Sequence, residues 1–265
     1  MALPFLLILG YLLQLEIPIK FLTLILIPSF IYLMDDLISI NFKLRIFLQL
    51  ISGLIIYLMH FNLENFTSDY YLLLICMFSS IVLINSLNFN DGSNGNIAII
   101  ILQFLIWFWL IDNSNIYNDL IFLLIIFIIL FLILNFLNVA YFGDSGCFLF
   151  SIIFLYMIFD KKINNIYILM LPLIFYLIDV FYVLALRVKR KENLLSRNYH
   201  HLYQILNKYN SVMALLPGLF NNLLLFFLFY LIKPQNLLVF LCLSVVISLI
   251  IYIFIRNLLI MTNVK

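Results

Sequence analysis

The chain has 265 residues, of which 66% are hydrophobic and only 10% are charged, and its net charge at pH 7 is +2. One soluble core of this size has no room for so much apolar surface, so lipid must solvate most of the chain. The net charge alone says nothing about nucleic acid, but the sequence contains no basic domain and no aromatic-basic platform that would bind it. The spacings of the three cysteines fit no metal knuckle, which favours reduced packing residues.

Apolar runs follow one another along the chain, separated by short polar connections. They lie near residues 2–15, 17–34, 44–60, 70–87, 97–111, 118–137, 146–159, 164–186, 212–232 and 236–255. A lipid-exposed backbone must satisfy its own hydrogen bonds, and these runs are too long and uniform for barrel strands. At roughly 20 residues per span, the sequence predicts an all-α, polytopic transmembrane bundle of about nine or ten spans. No linker divides the bundle, so residues 1–265 form one domain.

Basic residues indicate the orientation, because loops rich in Lys and Arg stay in the cytoplasm. With the loop 35–45 inside, ten of the 14 Lys and Arg residues lie on the cytoplasmic side. Both chain termini are then cytoplasmic. The same alternation brings four polar segments to that side: MDDLIS, NSLNFNDGSNG, YFGDSG and RNYHHLYQ. Four polar clusters on one face predict a single shared site.

The first cluster is the acidic pair Asp35 and Asp36, at the end of an apolar run. One carboxylate of such a pair can hold a divalent cation, and through it a phosphate, while the other acts as a base. The alternative is a helix N-cap, a position that Asp also favours.

The second cluster is rich in Asn. Asn85, Asn88 and Asp91 recur every three residues, so on a helix they point to roughly the same side. Amides both donate and accept, which suits a nucleobase or a sugar, and Asp91 suits a metal ion or a sugar hydroxyl. An Asn-rich turn between two helices is the alternative.

The third cluster centres on Asp144, which follows Gly143 at the entry to the run 146–159. A helix N-terminus favours an anion there, either Asp144 itself or a phosphate bridged to it by a metal. An ordinary helix cap is the alternative.

The fourth cluster is a basic loop that contains Arg197, His200 and His201. Its charge suits a diphosphate, and His can donate to a phosphoryl oxygen or shuttle a proton near neutral pH. The alternatives are a zinc site, for which only the distant His60 remains, and a loop that merely anchors the topology. Asp179 lies inside a predicted span, where an ionisable side chain is rarely a packing choice. We expect it to pair with the basic loop or to support the site from behind.

In this order and on one membrane face, the four motifs resemble those of the polyprenyl-phosphate N-acetylhexosamine-1-phosphate transferases. This family includes the phospho-MurNAc-pentapeptide translocase and the O-antigen-initiating transferases. The resemblance extends over roughly Ile17 to Asn222. It implies the magnesium-dependent transfer of a sugar-1-phosphate, expected to be an N-acetylated aminosugar, from a UDP-sugar to polyprenyl phosphate, with release of UMP. It also implies a bacterial inner-membrane enzyme with a cytoplasmic active site that initiates cell-surface glycan synthesis, and it is compatible with a homodimer.

The resemblance also assigns roles to residues by motif. The implied catalytic residues are Asp35, Asp36, Asp91 and Asp144, of which Asp144 and Asp91 are the implied Mg²⁺ ligands. The implied substrate-binding residues are Asn85, Asn88, Asn94, Arg197, His200 and His201. The chain departs from the family's pattern at Asn94, where many members have a second Asp. Family members normally carry more N-terminal sequence, so we expect part of that region to be missing.

Two other functions compete with the transferase. A membrane transporter without chemistry would place polar side chains at mid-membrane in several spans, whereas only Asp179 clearly lies inside a predicted span. An inactive scaffold subunit would keep the fold alone. Clustering of Asp35, Asp91, Asp144 and His201 in a single cleft favours the enzyme over both.

Overall fold

The computed structural model describes residues 32–33, 41–61, 70–111, 118–160, 167–194 and 199–262. Within these ranges the chain is helical and contains no strand, which confirms the all-α prediction. The helices are α1 (Phe42–His60), α2 (Tyr70–Asn90), α3 (Asn96–Ile111), α4 (Asn118–Phe136), α5 (Gly143–Phe159), α6 (Ile174–Lys189, after the 3₁₀ turn Leu171–Leu173), α7 (Leu202–Asn207), α8 (Ser211–Ile232) and α9 (Leu237–Thr262).

Six helical segments in the described ranges are long and apolar enough to cross a membrane. They are Phe42–His60, Tyr70–Asn90, Asn118–Phe136, Tyr167–Lys189, Ser211–Ile232 and Leu237–Leu259. Helices α3 and α5 are apolar but shorter, with 16 and 17 residues. All of them coincide with predicted apolar runs, so the chain is an integral membrane protein. The runs 2–15 and 17–34 lie outside the described residues except at 32–33, and the exact number of spans and the sides of the termini stay predictions.

Helix α5 forms the centre of the bundle, because every residue from Cys147 to Phe159 is buried. It packs against α1, α2 and α3. Helices α4 and α9 instead expose long apolar side chains, such as Leu130 and Phe254. Exposed apolar groups are expected where the surrounding solvent is lipid.

Helices α1 and α2 approach each other closely at Gly53. A Cβ atom at this position would lie 2.5 Å from the Met77 Cα. One turn away, the Ser80 hydroxyl donates to the Gln49 carbonyl at 2.6 Å. Small residues and interhelical hydrogen bonds are the usual means of joining helices in lipid, where no hydrophobic force drives them together.

Hydrogen bonds between polar side chains also connect α3, α6 and α8 inside the bundle. The Gln103 side-chain oxygen accepts from the Tyr176 hydroxyl at 2.9 Å and from the Asn222 amide at 2.7 Å. Asn222 also donates to the Pro172 carbonyl at 2.9 Å. The sequence analysis singled out only Asp179 inside a span, and the structure adds these residues. Because they satisfy one another, they join three helices.

The long helices run in alternating directions, and the six-residue helix α7 does not cross the bundle but lies between the end of α6 and the start of α8, so alternate ends of the long helices meet at each side of the bundle. We call the side that carries Arg45, Asp91, Asp144 and His201 the site end. At the opposite side, His60 after α1 pairs with Asp160 after α5 at 3.2 Å. The site end thus collects the second, third and fourth polar clusters of the sequence.

We predict that Gly53→Leu destabilises the protein, because the new side chain must push α1 away from the α2 backbone. Overpacking of this kind lowers the free energy of unfolding by about 1–3 kcal/mol. Thermal unfolding in detergent measures the change. Ala185→Leu adds bulk at an exposed position of α6 and serves as the control that leaves the melting temperature in place. Equal stability of the two variants would contradict close packing at Gly53.

Candidate active site

The candidate active site is built on the contact between the end of α2 and the start of α5. Asp91 directly follows α2, and its Oδ2 accepts a hydrogen bond from the Gly143 N–H at 3.1 Å. Gly143 has φ +66°, a conformation that costs little only for glycine. The next residue is Asp144, in the first turn of α5. Two carboxylates 53 positions apart in the sequence therefore lie at neighbouring points of the site end.

Arg45, in the first turn of α1, is a site residue that the sequence analysis used only to infer orientation. Its Nη1 lies 3.0 Å from Asp144 Oδ2, and about 30% of each side chain is exposed. The guanidinium balances a carboxylate and is partly exposed at the site end. The sequence signal that identifies Arg45 is its position: it lies at the start of the helix that follows the acidic pair, which is the site end of that helix.

The Asn residues of the second cluster contact different neighbours. The Asn85 amide donates to the Gln49 side chain of α1 at 2.9 Å and to the Ile81 carbonyl at 2.7 Å. Asn88 is half-buried, and its carbonyl accepts the Asp91 N–H. The structure thus places Asn85 against α1, and Asp91 against α5.

Asn94 lies in the loop after α2, and its side chain connects this loop to the loop after α4. Its amide donates to the Asn138 side chain at 2.7 Å. Asn135 strengthens the same connection, because its side chain accepts from the Gly95 N–H at 2.6 Å and donates to the Ala140 carbonyl at 2.7 Å. The substrate-binding role of Asn94 stays a prediction, but the described contacts place it at the junction of two loops.

His201 is buried at the start of α7, while His200 is exposed. The His201 Nδ1 lies 2.9 Å from Asp179 Oδ2 of α6. Tyr203, two residues later, donates its hydroxyl to the Phe89 carbonyl at 2.6 Å. Helix α7 is thereby attached to the end of α2, two residues before Asp91. Asp179 of α6 contacts the start of α7 through His201.

The acidic pair Asp35 and Asp36 and the basic Arg197 lie outside the described residues. Tyr32, three residues before Asp35, is described. Its ring stacks on Phe148 of α5 with centroids 3.9 Å apart, and its hydroxyl donates to the Arg45 carbonyl at 3.5 Å. Tyr32 therefore contacts the first turn of α1 and the second turn of α5.

No group of three His, Cys, Asp or Glu residues with the arrangement of a metal site occurs among the described residues. Magnesium does not require one, because it keeps several waters and binds one or two carboxylates together with substrate phosphates. Asp91 and Asp144 are carboxylates at a half-exposed position, and their oxygens are of the kind that Mg²⁺ would bind. They fit a site that is completed by substrate.

These features define an integral membrane protein in which Arg45, Asp91, Asp144 and His201 lie at one end of a helical bundle. The family model described as Glycosyl transferase family 4 matches residues 18–162, more than half of the 265-residue chain. The chain therefore belongs to glycosyl transferase family 4, whose members are glycosyl phosphotransferases that in general transfer sugar phosphates to polyprenyl phosphates. No curated protein and no solved structure matches the chain.

We predict that Gly143→Ala lowers both stability and transferase activity. A Cβ atom in the left-handed region costs about 1–2 kcal/mol, and relief of this strain rotates the N–H away from Asp91. Melting temperature and transfer rate measure the two effects. Gly143→Asn is the matched variant, because Asn tolerates this conformation better than Ala. Full activity in the Ala variant would show that the contact of Gly143 with Asp91 is dispensable.

Proposed function

We propose that the protein transfers a sugar-1-phosphate from a UDP-sugar to polyprenyl phosphate, giving a polyprenyl-diphosphate sugar and UMP. The proposed sugar is an N-acetylated aminosugar, and the product initiates a cell-surface glycan. The observation that carries the proposal is the contact of Asp91 with Gly143 beside the pair of Asp144 with Arg45. It combines two carboxylates with a guanidinium at the helix ends, where a water-soluble donor and the head of a lipid acceptor can meet.

The chemistry requires positive charge, because donor diphosphate and acceptor monophosphate repel each other. When bound, Mg²⁺ supplies Lewis-acid stabilisation of the phosphoryl oxygens, and Asp91 and Asp144 are the residues that would hold it. Arg45 is suited to an acceptor or donor phosphate, since a guanidinium binds phosphate oxygens in pairs. The N-terminus of α5 adds backbone N–H groups and a favourable dipole.

In the proposed reaction, an oxygen of the acceptor phosphate attacks the phosphorus that carries the sugar. The bond from this phosphorus to the bridging oxygen breaks, and UMP leaves with the electron pair. Asp35 and Asp36 are proposed to lie near the acceptor phosphate, one of them as its base. Asn85, Asn88 and Asn94 are proposed to bind the nucleotide sugar, and Arg197, His200 and His201 its diphosphate. Positioning and charge stabilisation supply most of the rate in such transfers.

We predict that membranes containing the protein transfer label from a UDP-N-acetylhexosamine to polyprenyl phosphate only when Mg²⁺ is present. Asp144→Asn and Asp91→Asn should lower the rate by a factor on the order of 100 or more, because a neutral amide would hold Mg²⁺ more weakly than a carboxylate, and the positive charge at the phosphoryl groups would be lost with the metal. Radioactivity in the extracted lipid measures the product. Removal of Mg²⁺ with EDTA should have the same effect as the substitutions, and added Mg²⁺ should restore the rate.

Asp119→Asn is the matched control, since it removes an exposed carboxylate from the first turn of α4, at the opposite side of the bundle. It should retain the full rate. Absence of transfer from every UDP-N-acetylhexosamine tested, with folded wild-type protein, would refute the proposal. An inactive scaffold subunit would give this result.

We further propose that the protein lies in the bacterial inner membrane with the site end in the cytoplasm. In a variant with Cys76, Cys147 and Cys242 replaced by Ala, Gln235→Cys should react with an impermeant maleimide in intact spheroplasts. Lys208→Cys, which follows α7 at the site end, should react only after permeabilisation. Both positions are exposed, so accessibility to the reagent differs only by side. The reversed pattern would place the site end outside.

A further inference from the structure

Asp179 is a buried carboxylate within the Tyr167–Lys189 span, and only 3% of it is exposed. Burying a charged pair in place of apolar side chains of similar size gives little net stability, and often lowers it. A contribution to fold stability therefore does not explain why a carboxylate lies at position 179. Its partners lie beyond the 18–162 match to the family, in the part of the chain that contains His200 and His201.

Asp179 accepts three hydrogen bonds. Its Oδ2 faces the His201 Nδ1 at 2.9 Å, and its Oδ1 accepts from the Leu202 N–H at 2.9 Å and the Tyr252 hydroxyl at 2.8 Å. An ionised carboxylate has no proton to donate, so an ionised Asp179 requires the proton of this hydrogen bond on the Nδ1 of His201. The neutral imidazole then has its lone pair on Nε2.

The last helix, α9, fixes the direction of this network. Arg256 Nη1 donates to the Tyr252 hydroxyl oxygen at 2.7 Å, which leaves the hydroxyl hydrogen for Asp179. The guanidinium of Arg256 also lies 4.6 Å from the centre of the Tyr182 ring. Positive charge from α9 is thus connected through one hydroxyl to the carboxylate that holds His201.

Two aromatic rings also lie near the His201 ring. The rings of Phe89 and Tyr203 each lie 5.9 Å from it, at interplanar angles of 24° and 23°. The His201 backbone N–H donates to the Gln204 side chain at 3.2 Å. Because Phe89 stands two residues before Asp91, this arrangement fixes the imidazole relative to the carboxylates of the site.

We propose that Asp179, supported by Tyr252 and Arg256 of α9, is a positioning residue that holds His201 in the Nδ1–H tautomer. Its Nε2 is then the nitrogen that acts on the diphosphate of the nucleotide sugar, which rests on the proposed transferase function. Carboxylates that orient a functional histidine do so by fixing the tautomer and the ring plane. The last helix is thereby part of the site in addition to spanning the membrane.

The first test is spectroscopic and needs no activity. The chain has three histidines, so ¹⁵N-histidine labelling with His60→Gln and His200→Gln variants assigns the His201 signals. In the wild type at alkaline pH, we expect a protonated Nδ1 and an unprotonated Nε2. In Asp179→Asn the amide N–H turns to Nδ1, and the tautomer should reverse. A wild type with the proton on Nε2, or an unchanged tautomer in Asp179→Asn, would overturn the proposal.

The second test uses the transfer reaction. Asp179→Asn should lower kcat roughly 10- to 100-fold, as removal of an orienting partner typically does, with KM for the UDP-sugar and the melting temperature nearly unchanged. Tyr252→Phe should lower kcat in the same direction by a smaller factor. Tyr57→Phe, another fully buried tyrosine in a span, is the matched control and should retain both kcat and the His201 tautomer. An unchanged kcat in Asp179→Asn would overturn the positioning role.

A histidine variant separates support of the fold from action on substrate. His201→Asn keeps an N–H that can donate to Asp179 but lacks Nε2, so we expect a folded protein that has lost kcat. Wild-type activity in this variant would exclude a function for Nε2. A wild type that shows the expected tautomer but no transfer would refute the proposed function, and it would leave the assignment of Asp179 to His201 supported.

Discussion

The hydrogen bond from the Gly143 N–H to Asp91 is the contact on which the geometry of the site depends. It joins the end of α2 to the start of α5, two helices that pack along each other through the bundle. Because α5 is buried along most of its length, its first turn cannot move without disturbing the core. Asp91 therefore has a defined place relative to Asp144, and through Asp144 relative to Arg45. Helix α7, which carries His201, is joined to the same end of α2 by the hydrogen bond from Tyr203 to Phe89.

Most of the fold was predictable, because lipid imposes one solution on the backbone. Apolar runs in lipid must form helices, and the boundaries that composition predicts for 44–60 and 118–137 agree within two residues with Phe42–His60 and Asn118–Phe136. Because successive spans alternate in direction, successive polar connections lie on opposite sides of the bundle. The side of each connection can therefore be predicted without knowing any side-chain contact. This is why the clusters around Asp91, Asp144 and His201 were expected at one end.

The pairing of individual side chains was not predictable from the sequence. Nothing in the periodicity of α3 or α8 indicates that Gln103 meets Asn222, or that Asn94 meets Asn138. These pairs are separated by tens of residues, and a small rotation of one helix would give each a different partner. The same reason explains Arg45, which charge counting treated only as a topological marker. Helix type and direction follow from local rules, whereas partners follow from the packing of the whole bundle.

The two parts of the site have different physical characters. The part formed by α1, α2 and α5 is half-exposed, and its charges of Asp144 and Arg45 remain open to water and to anions. The part formed by α6, α7 and α9 is buried, and there the pair of Asp179 with His201 lies where electrostatic interactions are strong and poorly screened. An exposed cluster can exchange ions and substrates, while a buried one holds a single geometry. The hydrogen bond from Tyr203 to Phe89 joins the two, so the buried part fixes the position of His201 relative to the half-exposed part.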